Sequence, residues 1–375
     1  MKATFNASDL LGAIEFMAIA DKNLADLQYV DQVYVKVENN VCQLFRYGPS
    51  ITKVSPRVSC ECDTDFFEWQ INFEAFQAIV RKIKTRFNTV DLSFDAAGGS
   101  KVVMLEAGKL KTKLNVTDFK APIEPELNNL KEICVVQSEL ERIIKRAKVA
   151  SAKQDSRHAL NGVSLTTNES GELRAVGCDG HRLAVANCLY LAHIYQVHEL
   201  ILSNTGVRYL ESLFKLSEEE NLVLHFDDSH LSISLSNGAR VKMQIVADKY
   251  PDWRKVVPLS FRTKVRVNRV ELITSIQSAA PLSTEKFRTA VFGMSPKGIA
   301  VSTNSDVGDF SDEVEIVSFD GDDITVGFNL DYLLAALTIL DCEEVDLELN
   351  DMNSGIILKE TVEANGIQLL MPVRT

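Results

Sequence analysis

The residues best suited to chemistry stand together in the segment Cys178-Asp179-Gly180-His181-Arg182. A thiol, a carboxylate and an imidazole are the groups of nucleophilic catalysis, in which a positioned base activates the nucleophile. Adjacent residues, however, rarely direct their side chains at one another, and catalytic triads are assembled from distant segments. Asp-Gly is also a strong turn signal. The segment therefore predicts a turn between two strands, with a hydrolase that uses Asp179 and His181 as the alternative.

Other catalytic patterns are absent from the sequence. It contains no GxxxxGK[ST] or GxGxxG phosphate-binding loop and no GxSxG elbow. The six histidines do not cluster with metal-ligand spacing, and none of the seven cysteines forms a C-x-x-C pair. We therefore expect no catalytic residue, no metal and no cofactor. Free thiols in a reducing cytoplasm fit the odd number of scattered cysteines.

Length and charge restrict the class of protein further. The chain has 375 residues, 46% of them hydrophobic and 25% charged, which indicates two or three folded domains. Lys and Arg total 40 against 52 Asp and Glu, so the net charge of −12 does not suit a simple electrostatic DNA binder. The longest apolar stretch, 332–340, is too short to span a membrane, and the residues after Met1 predict no signal peptide. We expect a cytoplasmic protein with no membrane partner.

The elements that must position these residues are repeated three times along the chain. Leu10, Leu140 and Leu272 hold the same place in three copies of a strand-then-helix pattern, 130 and 132 residues apart. A second helix pattern and a short alternating strand recur in the middle of each copy, and each copy closes on a proline. Helical spacing that alternates with strand spacing predicts an α+β fold. We expect three similar domains, 1–125, 126–257 and 258–375, each with two helices packed on antiparallel sheets.

A family resemblance is carried by short blocks in a fixed order. The segments 157–162 and 179–184 resemble the second domain of the bacterial DNA polymerase III β subunit, the sliding clamp. Further blocks are similar to the same family: 250–258, 283–288, 327–334 and 370–375. The resemblance implies three domains of the DNA-clamp type in a head-to-tail dimer that forms a closed ring. It also implies a non-catalytic processivity factor that encircles duplex DNA without reading its sequence.

The resemblance further implies a hydrophobic cleft that tethers partners. The clamp loader, the polymerase and repair proteins would each insert a short peptide with a glutamine and two bulky apolar side chains. Matched block by block, the expected cleft residues are Arg157, Leu160, Gly180, His181, Arg182, Leu183, Pro251, Lys255, Val256, Phe287, Leu369, Met371, Pro372, Val373 and Arg374.

Positive charge is needed in such a ring only on the helices that line the hole. Two predicted helices carry clusters of Lys and Arg, and a glutamine of the family is retained at 154. The expected DNA-facing residues are Lys22, Arg81, Lys82, Lys84, Arg142, Lys145, Arg146, Lys148 and Gln154.

Ring closure would require two complementary ends. Lys109, Lys111 and Lys113 alternate along one predicted edge strand, and the segment 306–323 carries eight acids and no base. Exposed edge strands pair with other strands, and opposite charge selects the partner. The expected interface residues are Lys109, Lys111, Lys113, Leu114, Leu282, Asp306, Asp309, Asp312 and Glu313.

The chain also departs from the family pattern. Where members carry aromatic residues, it has Thr112, His158 and Ala159, and Asn353 and Gly355 replace positions that are commonly apolar and hydroxylated. A different peptide preference is therefore expected. Besides the clamp and the hydrolase, a repeat-built interaction protein unrelated to replication remains an alternative.

Overall fold

A computed structural model describes residues 1–18, 31–48, 50–95, 102–116, 130–192, 196–283, 288–361 and 366–373. These residues pack as two compact units, one made of 1–137 with 208–245 and the other of 138–207 with 246–375. In the described ranges, no helix is both long and apolar enough to cross a bilayer.

The six helices of the described residues fall where the threefold pattern predicts them, two in each third. They are α1 (Ala7–Met17), α2 (Phe73–Lys84), α3 (Gln137–Lys148), α4 (Asn204–Leu216), α5 (Arg269–Ala279) and α6 (Leu330–Thr338).

The helices begin with the same chemistry in different thirds. The side chains of Asn6, Asn72, Asn268 and Asn329 each accept a hydrogen bond from the first turn of the following helix, and the Ser203 hydroxyl does so for α4. A short polar side chain at this position satisfies N–H groups that have no partner inside the helix. The same type of strand-to-helix connection, with a polar side chain capping the helix, therefore recurs along the chain.

Short antiparallel strands make up the rest of each third. The first third holds β1 (Lys2–Asn6), β2 (Gln32–Glu38), β3 (Val41–Tyr47), β4 (Ile51–Val54), β5 (Val58–Cys62), β6 (Phe66–Asn72), β7 (Thr89–Asp95), β8 (Val102–Ala107) and β9 (Leu110–Asn115). The second holds β10 (Lys131–Val136), β11 (Gly162–Thr167), β12 (Glu172–Cys178), β13 (Arg182–Leu189), β14 (Glu199–Ser203), β15 (Asn221–Phe226), β16 (His230–Ser234) and β17 (Arg240–Gln244). The last holds β18 (Thr263–Asn268), β19 (Thr289–Ser295), β20 (Gly298–Ser305), β21 (Gly308–Val314), β22 (Ile316–Asp320), β23 (Ile324–Asn329), β24 (Glu344–Leu349), β25 (Ile356–Glu360) and β26 (Gly366–Leu370).

These strands form one sheet in the first unit and two in the second. The first sheet runs β10-β15-β16-β17-β4-β3-β5-β1-β7-β8-β9, and off this path β2 pairs with β3 and β6 pairs with β2. The second unit holds β14-β11-β12-β13-β26-β25-β24-β18-β22 and β21-β20-β19-β23. All of the strand pairs are antiparallel, as an α+β fold requires. The predicted fold class is confirmed.

Helix α2 buries one apolar stripe. In α2, Phe76, Val80 and Ile83 recur at helical spacing and are buried, so the basic residues between them stay on the outer face. In the second unit, one core lies between α5, α6 and the strands of the last third. A smaller core gathers around β13 and β26, and this smaller core supports the candidate site.

Candidate functional site

An apolar cavity of about 280 Å³ opens on the second unit beside the paired strands β13 and β26. Nine of the residues expected from the family resemblance lie on its walls. They are Arg157, Leu160, Gly180, Arg182, Leu183, Pro251, Val256, Leu369 and Met371.

The floor of the cavity is continuous with the smaller core. Leu183 and Leu369 lie directly opposite each other in the β13–β26 ladder, and Leu160 packs in the same cluster. All three side chains are buried, so they stabilise the unit as well as line the cavity. The floor is therefore a fixed apolar surface that exists before any ligand binds.

The mouth of the cavity is apolar yet accessible. Val256, at the end of a 3-10 turn (Trp253–Val256), is 54% exposed, and Met371 is 40% exposed. Ordinary core packing explains the buried floor but not these two side chains at its edge. An open cleft with an apolar floor and rim suits bulky apolar groups of a ligand.

One rim is the predicted turn between β12 and β13. The Asp179 carboxylate accepts hydrogen bonds from the backbone N–H groups of His181 (2.9 Å) and Arg182 (3.0 Å) and from the Arg182 Nε (2.9 Å). Gly180 has a φ of 88°, which is strained for residues with a Cβ. The carboxylate thus holds the turn together and is not aimed at a nucleophile.

Tyr332 of α6 extends this rim, and sequence reasoning missed it as a site residue. The Arg182 guanidinium lies 4.2 Å from the centre of the Tyr332 ring, a cation–π contact. The His181 ring stacks on the same tyrosine with 6.4 Å between ring centres. His181 is exposed and does not line the cavity, although it had been expected there.

Arg157 is held over the turn by its neighbour Asp155. Two hydrogen bonds, of 3.0 and 2.9 Å, join the guanidinium to the carboxylate, and they lower the pKa of Asp155 to about 2. Asn161 fixes the backbone of Asp155 through two further hydrogen bonds. A Cβ at Gly180 would lie 3.3 Å from the guanidinium, so Arg157 covers this turn closely.

The opposite rim is the chain after β26. The Met371 N–H donates to the His181 carbonyl (2.8 Å), and the Val373 N–H donates to the Gly327 carbonyl (2.8 Å). The first bond continues the β13–β26 ladder, and the second is an isolated bridge to β23 of the other sheet, so the segment is fixed to both sheets of the unit. Pro372 and Val373 are partly buried behind the rim and do not line the cavity.

Four wall residues were absent from the sequence-based set: Cys178, Tyr250, Asp252 and Trp253. Burial raises the pKa of the Cys178 thiol and of the Tyr250 hydroxyl, so both groups stay neutral near pH 7. Trp253 carries the Arg254 guanidinium 4.7 Å from its ring centre. Tyr250 and Trp253 stand within the 250–258 block, so extending the match to its aromatic residues would have found them.

The remaining expected cleft residues lie elsewhere. Lys255 is exposed on the 3-10 turn, its ammonium 3.6 Å from the Asp252 carboxylate, and does not line the cavity. Phe287 and Arg374, and Lys22 of the DNA-facing set, lie outside the described residues.

Most of the other expected DNA-facing side chains reach solvent. Arg81, Lys82 and Lys84 are exposed on the last turn of α2, with Arg81 3.7 Å from the Glu15 carboxylate. Gln154 is exposed as well.

The cations of α3 are more constrained. Lys145 is 48% exposed and 2.6 Å from Glu141. Arg142 is mostly covered, since its guanidinium binds Glu139 and the Asn187 carbonyl. Lys148 is partly buried.

The expectation that Arg146 faces DNA is wrong. Its side chain is only 5% exposed, and its guanidinium makes two hydrogen bonds, of 2.8 and 2.5 Å, to the Glu360 carboxylate on β25. Arg146 falls on the buried stripe of α3 beside Ile143 and Ala147. It therefore joins the second third to the last one within the second unit.

The expected interface residues lie on two edge strands, in the turns before them and, for Leu282, in a 3-10 turn (Ala280–Leu282). Lys111 and Lys113 are exposed on β9, and Lys109 is exposed in the turn before it. Asp309, Asp312 and Glu313 are exposed on β21, and Asp306 is exposed in the turn before it. Leu114 and Leu282 are partly buried.

Comparisons with known proteins agree with one another. Residues 134–252 match the family model for the central domain of the DNA polymerase III beta subunit, and residues 254–374 match the model for its C-terminal domain. The beta sliding clamp of Vibrio cholerae is 26% identical, with all of both chains aligned.

Solved structures show the same likeness. A crystal structure of the DNA polymerase III subunit beta from Pseudomonas aeruginosa superposes over the full length of both chains, with a TM-score of 0.89 and 25% identity. A crystal structure of that organism's sliding clamp bound to griselimycin also covers both chains in full, with a TM-score of 0.87 and 25% identity.

Proposed function

The chain belongs to the DNA polymerase III beta subunit family, and from this premise we propose that it closes a ring around duplex DNA and tethers DNA-processing enzymes there. Its function is that of a sliding clamp, a non-catalytic processivity factor of DNA polymerase III. The observation that carries this conclusion is the full-length match to clamps in both sequence and fold. The hydrolase alternative is not supported, because Asp179 is engaged by its own turn and by Arg182.

Topology accounts for the charge of the chain. A ring that is threaded by DNA needs little affinity for phosphate, so a net charge of −12 is compatible with sliding. Three domains, 1–125, 126–257 and 258–375, would each contribute two helices to such a ring. We propose that the protein acts in the cytoplasm, since free cysteines are typical of a reducing compartment.

Retention on circular DNA tests the proposed function. Loaded clamps should stay on a nicked circle and run off when a single cut linearises it, whereas a groove-binding protein would be retained equally on both. Equal retention on circular and linear DNA of the same length and at the same salt concentration would contradict encirclement.

The proposed DNA-facing set excludes Arg146. Arg81, Lys82 and Lys84 support it best, because all three are exposed on one turn of α2. Lys145 and Gln154 belong to the same set in the second unit, and Arg142 and Lys148 make a smaller contribution because they are partly covered. Each neutralised phosphate adds about 0.9 to the slope of log affinity against log salt.

We assign the cavity of the second unit as the tethering cleft. Its apolar floor at Leu183 and Leu369 and its accessible rim at Val256 and Met371 would receive two bulky apolar side chains of a partner peptide. Polar rim groups such as Arg157 would orient the peptide's glutamine. The related clamp bound to griselimycin supports a ligand-binding role in this family. The occupants would be peptides of the polymerase, the clamp loader and repair proteins.

Ring closure is proposed between the two oppositely charged edges. The lysines next to and on β9 would meet the acids of β21 on a second copy, head to tail. Leu114 and Leu282, both partly buried, would supply apolar contact there.

A further inference from the structure

Both strands of the proposed closure have an unpaired side. Within the described residues β9 pairs only with β8, and β21 pairs only with β20. The other side of each strand presents backbone N–H and C=O groups, which are a template for a further strand.

The same kind of strand-to-strand junction occurs twice within the chain. In the first unit β4 pairs with β17, and in the second unit β13 pairs with β26, both antiparallel. In each pair, the third strand after the first helix of one repeat pairs with the last strand of the following repeat. By order in the repeats, β21 corresponds to β4 and β13, whereas β9 corresponds to β17 and β26. The chain thus carries both strands of a third junction.

Equivalent positions in the last strands follow from the ladders. In each third, the residue four positions before the first helix has a ladder partner on the neighbouring strand, and the partners can be followed across two strands to the last strand. The equivalent residues reached in this way are Thr112 in β9, Val241 in β17 and Gln368 in β26.

The other side of the junction is aligned in the same way. Here the starting residue in each third lies three positions before the second helix, and its ladder partners are again followed across two strands. The equivalent residues reached are Val54 in β4, Val185 in β13 and Ser311 in β21.

Both internal junctions have one and the same register. Val54 lies opposite Arg240, and Val185 lies opposite Ile367. In each case the partner is the residue just before the equivalent position in the last strand. Applied to the third junction, this register sets Ser311 opposite the residue before Thr112, which is Lys111.

We propose that a second copy of this chain completes the junction in this register, so that Lys113 lies opposite Asp309 and Lys109 lies opposite Glu313. The inference rests on the proposed ring and adds its residue pairing. All four side chains are exposed, and alternation along a strand places each pair on one face. Opposite charges that face each other across a ladder stabilise it, and like charges there weaken it. Asp312 falls opposite Leu110 on the other face.

Charge reversal tests the pairing. Lys113→Glu and Asp309→Lys should each raise the dimer dissociation constant about tenfold or more in sedimentation velocity. Together they should restore it to within about threefold of the original value. The matched control, Lys113→Glu with Asp312→Lys, should stay weakened. Equal rescue by Asp312→Lys, or no rescue by Asp309→Lys, would overturn the pairing.

Cross-linking measures the register directly. A chain that carries Lys113→Cys and Asp309→Cys should form covalent dimers with a short bifunctional thiol reagent, above the background of the unmodified chain treated alike. Lys113→Cys with Ser311→Cys, two residues out of register, should not. Efficient linkage of the second variant would overturn the register while leaving the ring intact. A chain that is monomeric at every concentration would overturn both the ring and the pairing.

Discussion

Leu183 lies directly opposite Leu369 in the β13–β26 ladder, and the equivalent place between β4 and β17 holds Thr52 opposite Lys242. Two buried leucines make an apolar floor, whereas a hydroxyl and an ammonium do not. The two junctions share a register but differ in side chains, so the β13–β26 junction is the one suited to bulky apolar groups.

The rim after β26 should be essential for peptide binding. Deletion of residues 371–375 removes Met371 and its bond to the His181 carbonyl, and we expect it to abolish binding of a polymerase-derived peptide in fluorescence anisotropy. The dimer should survive, because its proposed strands are β9 and β21. Met371→Ala alone should weaken binding about tenfold. Met352→Ala, another exposed methionine of the same unit, is the control and should bind normally; full affinity of the truncated chain would refute the site.

The size of the cleft should depend on the residue beneath its floor. A Cβ at Gly355 would lie 3.0 Å from the Leu369 Cδ2 and 3.2 Å from the Leu370 carbonyl oxygen. Gly355→Ser should therefore push Leu369 into the cleft and weaken peptide binding about three- to tenfold. Adding Leu369→Val should recover much of the loss. Calorimetric titration of the peptide checks this, and an unchanged affinity for the Gly355→Ser chain would show that the floor does not limit the ligand.

The Arg146–Glu360 pair should govern stability. Arg146→Met leaves the Glu360 carboxylate without its partner in a mostly buried place, which costs about 3–5 kcal/mol of the free energy of unfolding. Arg146→Met with Glu360→Met should cost clearly less, since neither charge is then unpaired. Urea unfolding measures both, and a single variant as stable as the parent chain would contradict the buried pair.

Salt dependence should separate Arg146 from the exposed cations. Lys82→Met removes one exposed charge and should lower the slope of log affinity against log salt by about 0.9. A matched change at the buried position, Arg146→Met, should leave that slope unchanged when measured below the unfolding transition. A slope that falls equally for both variants would place Arg146 on the DNA-facing surface after all.

The Asp155 carboxyl should titrate far below its usual range. Hydrogen bonds from Arg157 lower its pKa from 3.8 to about 2. Because the pKa is lower in the folded chain, the stabilisation is present above about pH 4 and is lost as the pH falls towards 2. Arg157→Gln should return the carboxyl towards 3.8 in an NMR titration. A midpoint near 3.8 in the unaltered chain would mean that the two side chains do not pair in solution.

Periodicity and resemblance predicted different parts of the molecule. The six helices and the α+β class follow from apolar spacing that repeats with Leu10, Leu140 and Leu272, because spacing directly reflects which face of an element is buried. The cavity walls came from matched blocks and not from spacing. Neither source could identify the partner of Arg146, since the carboxylate that binds it, Glu360, is more than half the chain away.

The aromatic walls were missed for a different reason. Trp253 begins the 3-10 turn (Trp253–Val256) and Tyr250 precedes it, both within the matched block 250–258. Only some residues of that block were assigned to the cleft, and a short irregular turn leaves no period by which spacing could have added the aromatic ones. The prediction for His181 was wrong in the opposite sense, since it was expected in the cavity. Its ring stacks on Tyr332 and does not line the cavity.

The pairing of β4 with β17 also bears on how the chain is made. The edge of β4 is complete once Val54 has been synthesised, but its partner strand begins at Arg240. At about 5–20 residues per second, that edge waits for roughly 10–40 s on the ribosome. During this time the nascent first third exposes an unpaired strand, the feature by which partly made proteins associate wrongly. Biosynthesis therefore sets a window in which this edge is open to pairing with other chains.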